Sequence, residues 1–460
     1  MLKQLILENW KSFRYAELPL DPLTVLIGTN ASGKSNVAEA LELLKRIVRG
    51  EDIEVALEGN KTLSSIRGGV EWAALKPETQ FILKLLVQGE DNNTDYFYSI
   101  TIQTKPDVHI VQEYLERQKK LSDSQVSHEI LIDDNNTLTE RSYLSEFTHF
   151  FAQKQKEHDK LKLVVSKLNN ANANQELLQI ALKKNITTNE VKTEAIIETI
   201  KDIKKTTNDL IELISKNDEH FSLVGDYNKL INLIINKISS IFILNPVPSK
   251  MRDYSRLSDI LESDASNIAG VLAALDGKQK AEVESTLSAY IKDFPEGDIK
   301  TVFAEPIGRL KTDAMLYCEE EWKPGEMTLI DAKTMSDGTL RFIAILTALL
   351  TRPEGSQLVI EEIDNGLHPS RAELLVRILR EIGQKRKIDI LITTHNPALL
   401  DALGPEIVPF VVVAHRDKET GESKLTLLED IDNFSKLFAS YSLGDMTTKG
   451  AIERSLSHNE

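Results

Sequence analysis

The chain has 460 residues, 41% hydrophobic and 27% charged, a globular rather than a disordered composition. Its one cysteine, Cys318, excludes an intrachain disulfide and a cysteine-based zinc site, and no apolar run approaches the ~18–20 residues of a membrane helix. The formal charge of −16, from 55 Lys and Arg against 71 Asp and Glu, disfavours nucleic acid over the whole surface, so such a contact is expected only through a local basic patch or a partner.

The amino end leads straight into a strand-like run, Leu2 to Leu7, followed by the acidic Glu8. It lacks the charged, apolar and small-residue order of a signal peptide, so a cytoplasmic protein without a membrane partner is expected. Leu23-Thr24-Val25-Leu26-Ile27 is a short β-rich run between Pro22 and Gly28, the pattern of a strand buried on both faces. Beyond it Val37, Leu41, Leu44 and Val48 follow helical spacing.

Between that strand and that helix, Gly28-Thr29-Asn30-Ala31-Ser32-Gly33-Lys34-Ser35 fits G-x4-G-K-[ST] in the context the motif needs. Glycines let successive backbone N–H groups face phosphate oxygens, and the helix N-terminus adds positive potential. Lys34 is placed to reach β- and γ-phosphates, and the Ser35 hydroxyl to coordinate Mg²⁺. ATP with Mg²⁺ is therefore the expected ligand.

Residues 80–132 read as β hairpins, with strand candidates at Phe81–Val87, Tyr96–Thr104 and Val108–Tyr114. Residues 140–245 hold no proline and only one glycine, and Ile196, Ile200, Ile203, Leu210 and Ile214 follow heptad spacing. A helical arm is expected there, shorter than a long coiled coil. Residues 151–216 carry 12 Lys and 9 acids, a local +3 inside an acidic chain. That surface reads either as a solvated helix face or as a docking arm for nucleic acid or a partner.

From residue 246 the strand and helix signals alternate. Helical patterns cover Ile268–Leu275, Val283–Phe294, Thr339–Leu346 and Arg371–Ile382. Strand patterns cover Gln357–Ile360, Ile388–Thr393 and Ile407–Val413. This order implies an α/β fold with a largely parallel sheet and helices on its faces.

Leu358-Val359-Ile360 runs into two adjacent acids, Glu361 and Glu362. Two carboxylates at a strand end are costly unless they meet a cation or polarise a water. Glu361 is assigned to Mg²⁺ and Glu362 to orienting and activating the attacking water. Ile392-Thr393-Thr394-His395 ends another strand, where His395 is placed to hydrogen-bond the γ-phosphate and that water.

This combination resembles ABC-type ATPases of the RecF/SMC-like branch. It is similar, more closely, to AAA ATPases related to OLD nucleases and to anti-phage defence ATPases such as the Septu, PARIS or Gabija subunits. Leu5 to Phe13 resembles the branch's opening strand and turn, and Asn36 extends the phosphate loop as the branch does. Ser336-Asp337-Gly338-Thr339 sits where an ABC signature belongs. Glu361 to Pro369 resembles "E-E-P-E-N-G-L-H-P", D-loop included, and Thr394 to Pro397 resembles "T-H-S-P". Ile363, Asn396 and the Ser-Asp-Gly-Thr signature depart from those patterns.

The resemblance implies an ABC-type head with mixed and parallel sheets. An amino-terminal lobe at 1–139 and a carboxy-terminal lobe at 246–460 would be interrupted by the helical insertion at 140–245. It implies a head-to-tail dimer, or a higher oligomer, in which Ser336 and Gly338 of one subunit cap ATP held by the other. Lys11–Phe13 are candidates for contacting base or ribose, and Gln80 and Arg67–Gly69 compete for the Q-loop position. Only 65 residues follow His395, fewer than a further domain of ~100 needs. The expected function is thus an ATPase subunit of a prokaryotic defence or DNA-surveillance complex that controls a separate nuclease chain. The alternatives are a RecF-like repair ATPase without an effector, a transporter's nucleotide-binding subunit, and a switch in which ATP is bound but not hydrolysed.

Overall fold

The computed structural model describes residues 1–122, 125–134, 141–146 and 229–456. The chain divides into two units, residues 1–142 with 237–460, and residues 143–236. The first unit carries everything discussed below. The heptad-spaced positions Ile196–Ile214 and the +3 segment at 151–216 lie outside the described residues.

The first unit is mixed α/β with three sheets. The central one has the order β16-β15-β3-β14-β13-β8. It is built from β3 (Leu23–Ile27), β8 (Phe242–Leu244), β13 (Gln357–Ile360), β14 (Asp389–Thr393), β15 (Val411–Arg416) and β16 (Ser423–Leu427). All pairings are parallel except β15 with β16. β3 lies between β14 and β15, and its Thr24–Ile27 are buried, as a continuous apolar run between two faces requires. Because the strands are parallel, the carboxyl ends of β3, β13 and β14 emerge on one edge. Ile360 is level with Ile392, and Ile392 with Val25.

The second sheet is antiparallel, in the order β2-β1-β4-β5-β6-β7. It comprises β1 (Leu2–Trp10), β2 (Phe13–Pro19), β4 (Gln80–Gln88), β5 (Thr94–Gln103), β6 (His109–Ser122) and β7 (Gln125–Asp134). The hairpins expected over 80–132 are these strands, whereas β2 had no signal of its own beside the short turn after Trp10. Trp10 and Phe13 are fully buried, each removal from water being favourable by about 2–3 kcal/mol. This sheet is tied to the central one at β2, where the Ser423 N–H donates to the Ser12 carbonyl at 2.7 Å.

The third sheet joins β9 (Ser255–Arg256), β10 (Ile299–Ile307), β11 (Asp313–Lys323) and β12 (Glu326–Asp331), all antiparallel. Cys318 is buried on β11, and that burial pushes its thiol up to about 12. It is a packed, inert thiol.

The helix Asp337–Thr351 is apolar nearly all round and runs through the core, while Ala372–Arg386 packs one apolar face. One expected strand is corrected: Pro405–Phe410 forms a 3₁₀ turn, and the strand starts only at Val411. Ile407 and Val408 are buried as a strand's would be, but Pro409 has no N–H to give a ladder. Among the described residues no helix is long and apolar enough to cross a membrane.

Candidate nucleotide site

Three positive φ angles curl the loop after β3: Gly28 at 144°, Ala31 at 63° and Gly33 at 110°. The glycines are sterically required. A Cβ on Gly28 would lie 2.1 Å from the Ala414 carbonyl oxygen, and one on Gly33 would lie 2.7 Å from Phe13 Cζ. The loop therefore rests on β15 from one side and on the buried Phe13 ring from the other. Arg416, at the end of β15, donates to the Ala31 carbonyl at 2.9 Å. Asn30 and Ala31 are exposed at the crest.

The helix Lys34–Val48 starts from this loop with no side-chain cap and no acid in its first turn. Among the described residues the buried Ser32 hydroxyl has no hydrogen-bond partner. An uncapped helix end, an orphaned hydroxyl and a cradle too tight for a Cβ together fit a phosphate group. Lys34 Nζ closes the loop on itself, donating to the carbonyls of Gly28 at 2.7 Å and Thr29 at 2.9 Å. Burial lowers the Lys34 ammonium from its ordinary range, and Glu362 and Asp364 pull it back up.

Asn36 fixes the start of this helix. Its amide donates to Ser12 Oγ at 2.8 Å, its carbonyl accepts the Trp10 indole N–H at 2.7 Å, and its side-chain oxygen accepts from Arg67 at 3.1 Å. Phe13 is buried under Gly33, and Lys11 is held by Glu39 and by the Arg67 carbonyl at 2.7 Å. Of the two Q-loop candidates, Arg67 lies beside the phosphate-loop helix, 3.6 Å from Glu39. Gln80 instead pairs with Gln103 at 2.7 Å, on the neighbouring strand of the antiparallel sheet.

The acidic doublet comes to the same edge from β13. The Glu361 N–H donates to Leu244 O at 3.2 Å, the Glu362 N–H to Thr393 Oγ1 at 2.8 Å, and the Thr394 N–H to Leu26 O at 3.2 Å. Those three bonds stitch the ends of β8, β13, β14 and β3 together. Burial pushes the Glu361 carboxyl above the usual range, and the Ser35 hydroxyl works against that shift. A half-buried carboxylate beside a hydroxyl is a donor set that suits Mg²⁺, which takes one or two carboxylates and keeps the rest of its shell for water and phosphate.

Glu362 has the left-handed φ of 45°, a conformation costing about 1–2 kcal/mol for a residue with a Cβ. Asn365 Nδ2 donates to Glu362 Oε2 at 3.3 Å within the same turn. Asp364, assigned no role from its place in the motif, is buried and accepts from Thr394 Oγ1 at 2.5 Å. His395 follows, its side chain 63% exposed and its Nδ1 3.9 Å from Asp364 Oδ2.

Ser336 and Gly338 take part in a different set of contacts. Ser336 caps the Asp337–Thr351 helix, accepting the Thr339 N–H at 3.1 Å and pairing with Thr339 Oγ1 at 2.8 Å. A Cβ on Gly338 would lie 2.6 Å from the Gly366 carbonyl oxygen. The loop before Ser336 is held by Arg252, which donates to Lys333 O at 3.0 Å and Met335 O at 2.6 Å and pairs with Asp337. The contacts of Ser336 and Gly338 are thus with Thr339 and the Gly366 turn rather than the phosphate loop.

Arg416, Asp364 and Glu39 were missed by sequence reasoning. For Arg416 and Asp364 a signal existed: each stands at or just past the carboxyl end of a strand in the parallel sheet, where such sheets bind ligands. For Glu39 none did.

Residues 23–401 match the profile of the family described as "AAA domain, putative AbiEii toxin, Type IV TA system". A comparison with curated proteins found no match. Solved structures similar to this chain include the Smc head domain with an extended coiled coil bound to the C-terminal domain of ScpA, from Pyrococcus furiosus. It is 13% identical, over 95% of this chain and 99% of that one, with a TM-score of 0.39. The SmcHead bound to the C-winged helix domain of ScpA is 11% identical over 92% and 96%, with a TM-score of 0.45. The SMC head domain from Thermotoga maritima is 13% identical over 93% and 98%, with a TM-score of 0.36.

Proposed function

The chain belongs to the AAA-domain family matched over residues 23–401, and from that premise we propose that it binds and hydrolyses ATP with Mg²⁺ and couples the cycle to a separate effector. The observation that carries this reading is the meeting of two remote segments. The Glu362 N–H donates to Thr393 on β14, and β14 pairs with β3, the strand that leads into the loop at Gly28–Ser35, so the doublet and the loop share one edge across more than 320 residues of chain.

The geometry supports the following roles. The N–H groups of Asn30 to Ser35 would cradle the phosphates, and Lys34 would leave the Gly28 and Thr29 carbonyls for the β- and γ-phosphate oxygens. Ser35 and Glu361 would hold Mg²⁺, which supplies neutralisation of the phosphate charge when bound. Glu362 accepts the proton of the attacking water, and His395, open to solvent, donates to the γ-phosphate. Gly28, Gly33 and Asn36 keep the loop in shape.

We further propose that two heads sandwich ATP, with Ser336 and Gly338 of one facing the phosphate loop of the other. The helix they start is 15 residues long, so its N-terminus offers a γ-phosphate a positive end. Glu362→Gln protein is expected to gain mass on addition of ATP and Mg²⁺, read by light scattering. A Ser336→Arg change in that background abolishes the gain. A mass that ignores nucleotide, or a gain that survives Ser336→Arg, contradicts the sandwich.

The proposed output is control of a nuclease carried by another chain, in a cytoplasmic prokaryotic defence or DNA-surveillance complex, with nucleic acid reached through a local basic patch. The family's description names a toxin of a type IV TA system, which supports a harmful output over a repair role. Co-purification of the native complex tests it: a nuclease chain supports the reading, and a stable assembly of this chain with none overturns it.

A further inference from the structure

Arg341 stands one turn into the helix that begins at Ser336. Its guanidinium is half-buried, and among the described residues it makes no hydrogen bond or ion pair. A guanidinium removed from water without a partner is costly, so its place calls for an explanation. Asp337, on the same turn, attracts it but makes its ion pair with Arg252 instead.

The side chain lies over the D-loop turn. A Cβ on Gly366 would be 3.7 Å from Arg341 Cδ and 3.8 Å from Arg341 Nε. That turn begins at Glu362, whose carbonyl accepts the Asn365 N–H at 2.8 Å and whose carboxylate accepts from Asn365 Nδ2. The same turn presses its Gly366 carbonyl against Gly338. Burial lowers the Arg341 guanidinium from its ordinary range, and Asp337 and Glu362 pull it back up. Glu362 therefore has two cations near it, Lys34 and Arg341. Lys34 is committed to the phosphates once nucleotide binds, which leaves Arg341 with the carboxylate.

We propose that Arg341 is a positioning residue that holds the Glu362 turn, so that the helix starting at Ser336 and the water-activating carboxylate move as one piece. The inference rests on the assignment of Glu362 to the attacking water. It makes the presentation of that carboxylate depend on where the Ser336 helix sits, which is the element proposed to cap a second head's ATP.

The test is a double-mutant cycle on ATP hydrolysis, with radiolabelled ATP for the slow variants. Arg341→Met is expected to lower kcat about 30-fold with KM within about twofold, the size of a lost charge-assisted contact acting after binding. Arg341→Lys recovers turnover to within about fivefold of wild type. In a Glu362→Gln background, Arg341→Met costs less than a further twofold or so, because the group it positions is gone. A merely structural arginine would cost the same factor on both backgrounds, and that result overturns the proposal. So does a loss carried by KM alone, or an Arg341→Met enzyme as fast as wild type. Arg341→Gln takes the place of the methionine variant if that variant does not fold. A wild-type chain that releases no phosphate overturns the hydrolysis reading itself, a different result from a wild type that Arg341→Met merely equals.

Discussion

Lys34→Ala is expected to abolish turnover, lowering the hydrolysis rate about 10³-fold and weakening ATP binding about 100-fold, as loss of a charge-assisted phosphate contact in a preorganised site should. Among the described residues the ammonium is the one cation placed inside the loop. It already spans the carbonyls of Gly28 and Thr29 at 2.7 and 2.9 Å, which preorganises it over the cradle. Its removal takes one attracting charge away from Glu362 and Asp364, but both are at a solvent-facing edge or hydrogen-bonded. The thermal midpoint should therefore move by only a few degrees. Phosphate release and calorimetric titration read the two losses. An affinity for ATP within about threefold of wild type would remove Lys34 from the site.

Glu362→Gln separates binding from chemistry. Glutamine keeps the volume and the side-chain oxygen that Asn365 donates to, and loses only the ability to take a proton. Turnover is expected to fall about 10³-fold while ATP affinity stays within about threefold, the signature of a group that acts only in the transition state. The backbone favours this isosteric change over a larger one. The residue holds a φ of 45° and is pinned by its N–H to Thr393 Oγ1 at 2.8 Å. Single-turnover phosphate release and nucleotide titration on the same preparation measure both quantities. Equal turnover in the variant and the wild type would withdraw the base role.

Much of this arrangement was legible in the sequence because local and global signals agree there. The run Leu23–Ile27 is short, apolar and ended by Gly28, and the structure makes it an inner strand of the parallel sheet, between β14 and β15. Thr339–Leu346 reads as helix from its spacing, and the observed helix begins two residues earlier because Ser336 caps it. The doublet at Glu361 and Glu362 could be assigned because carboxylates after a buried strand need a cation.

The missed features share a different physics. β2 is held by its partner β1, and its amphipathic residues Phe13, Ala16 and Leu18 read as turn and loop beside Trp10. The stretch Pro405–Phe410 looks apolar enough for a strand, yet two prolines turn it into a 3₁₀ segment. Arg416 reaches Ala31 across 385 positions. Contacts of that kind depend on how sheets stack, which no window of sequence contains. Arg341 was hidden for the same reason: its meaning comes from the Gly366 turn, brought to it by the fold.

The central claim is that the Glu361 carboxylate serves the metal of the nucleotide bound at Gly28–Ser35. Calorimetric titration of ATP with and without Mg²⁺, on wild type and on Glu361→Gln, tests it most directly. Mg²⁺ should tighten ATP binding to the wild type about tenfold, and that tightening should shrink below about twofold in the variant while metal-free affinity is unchanged. An undiminished Mg²⁺ effect in Glu361→Gln, or no uptake of ATP by the wild type, would contradict the account.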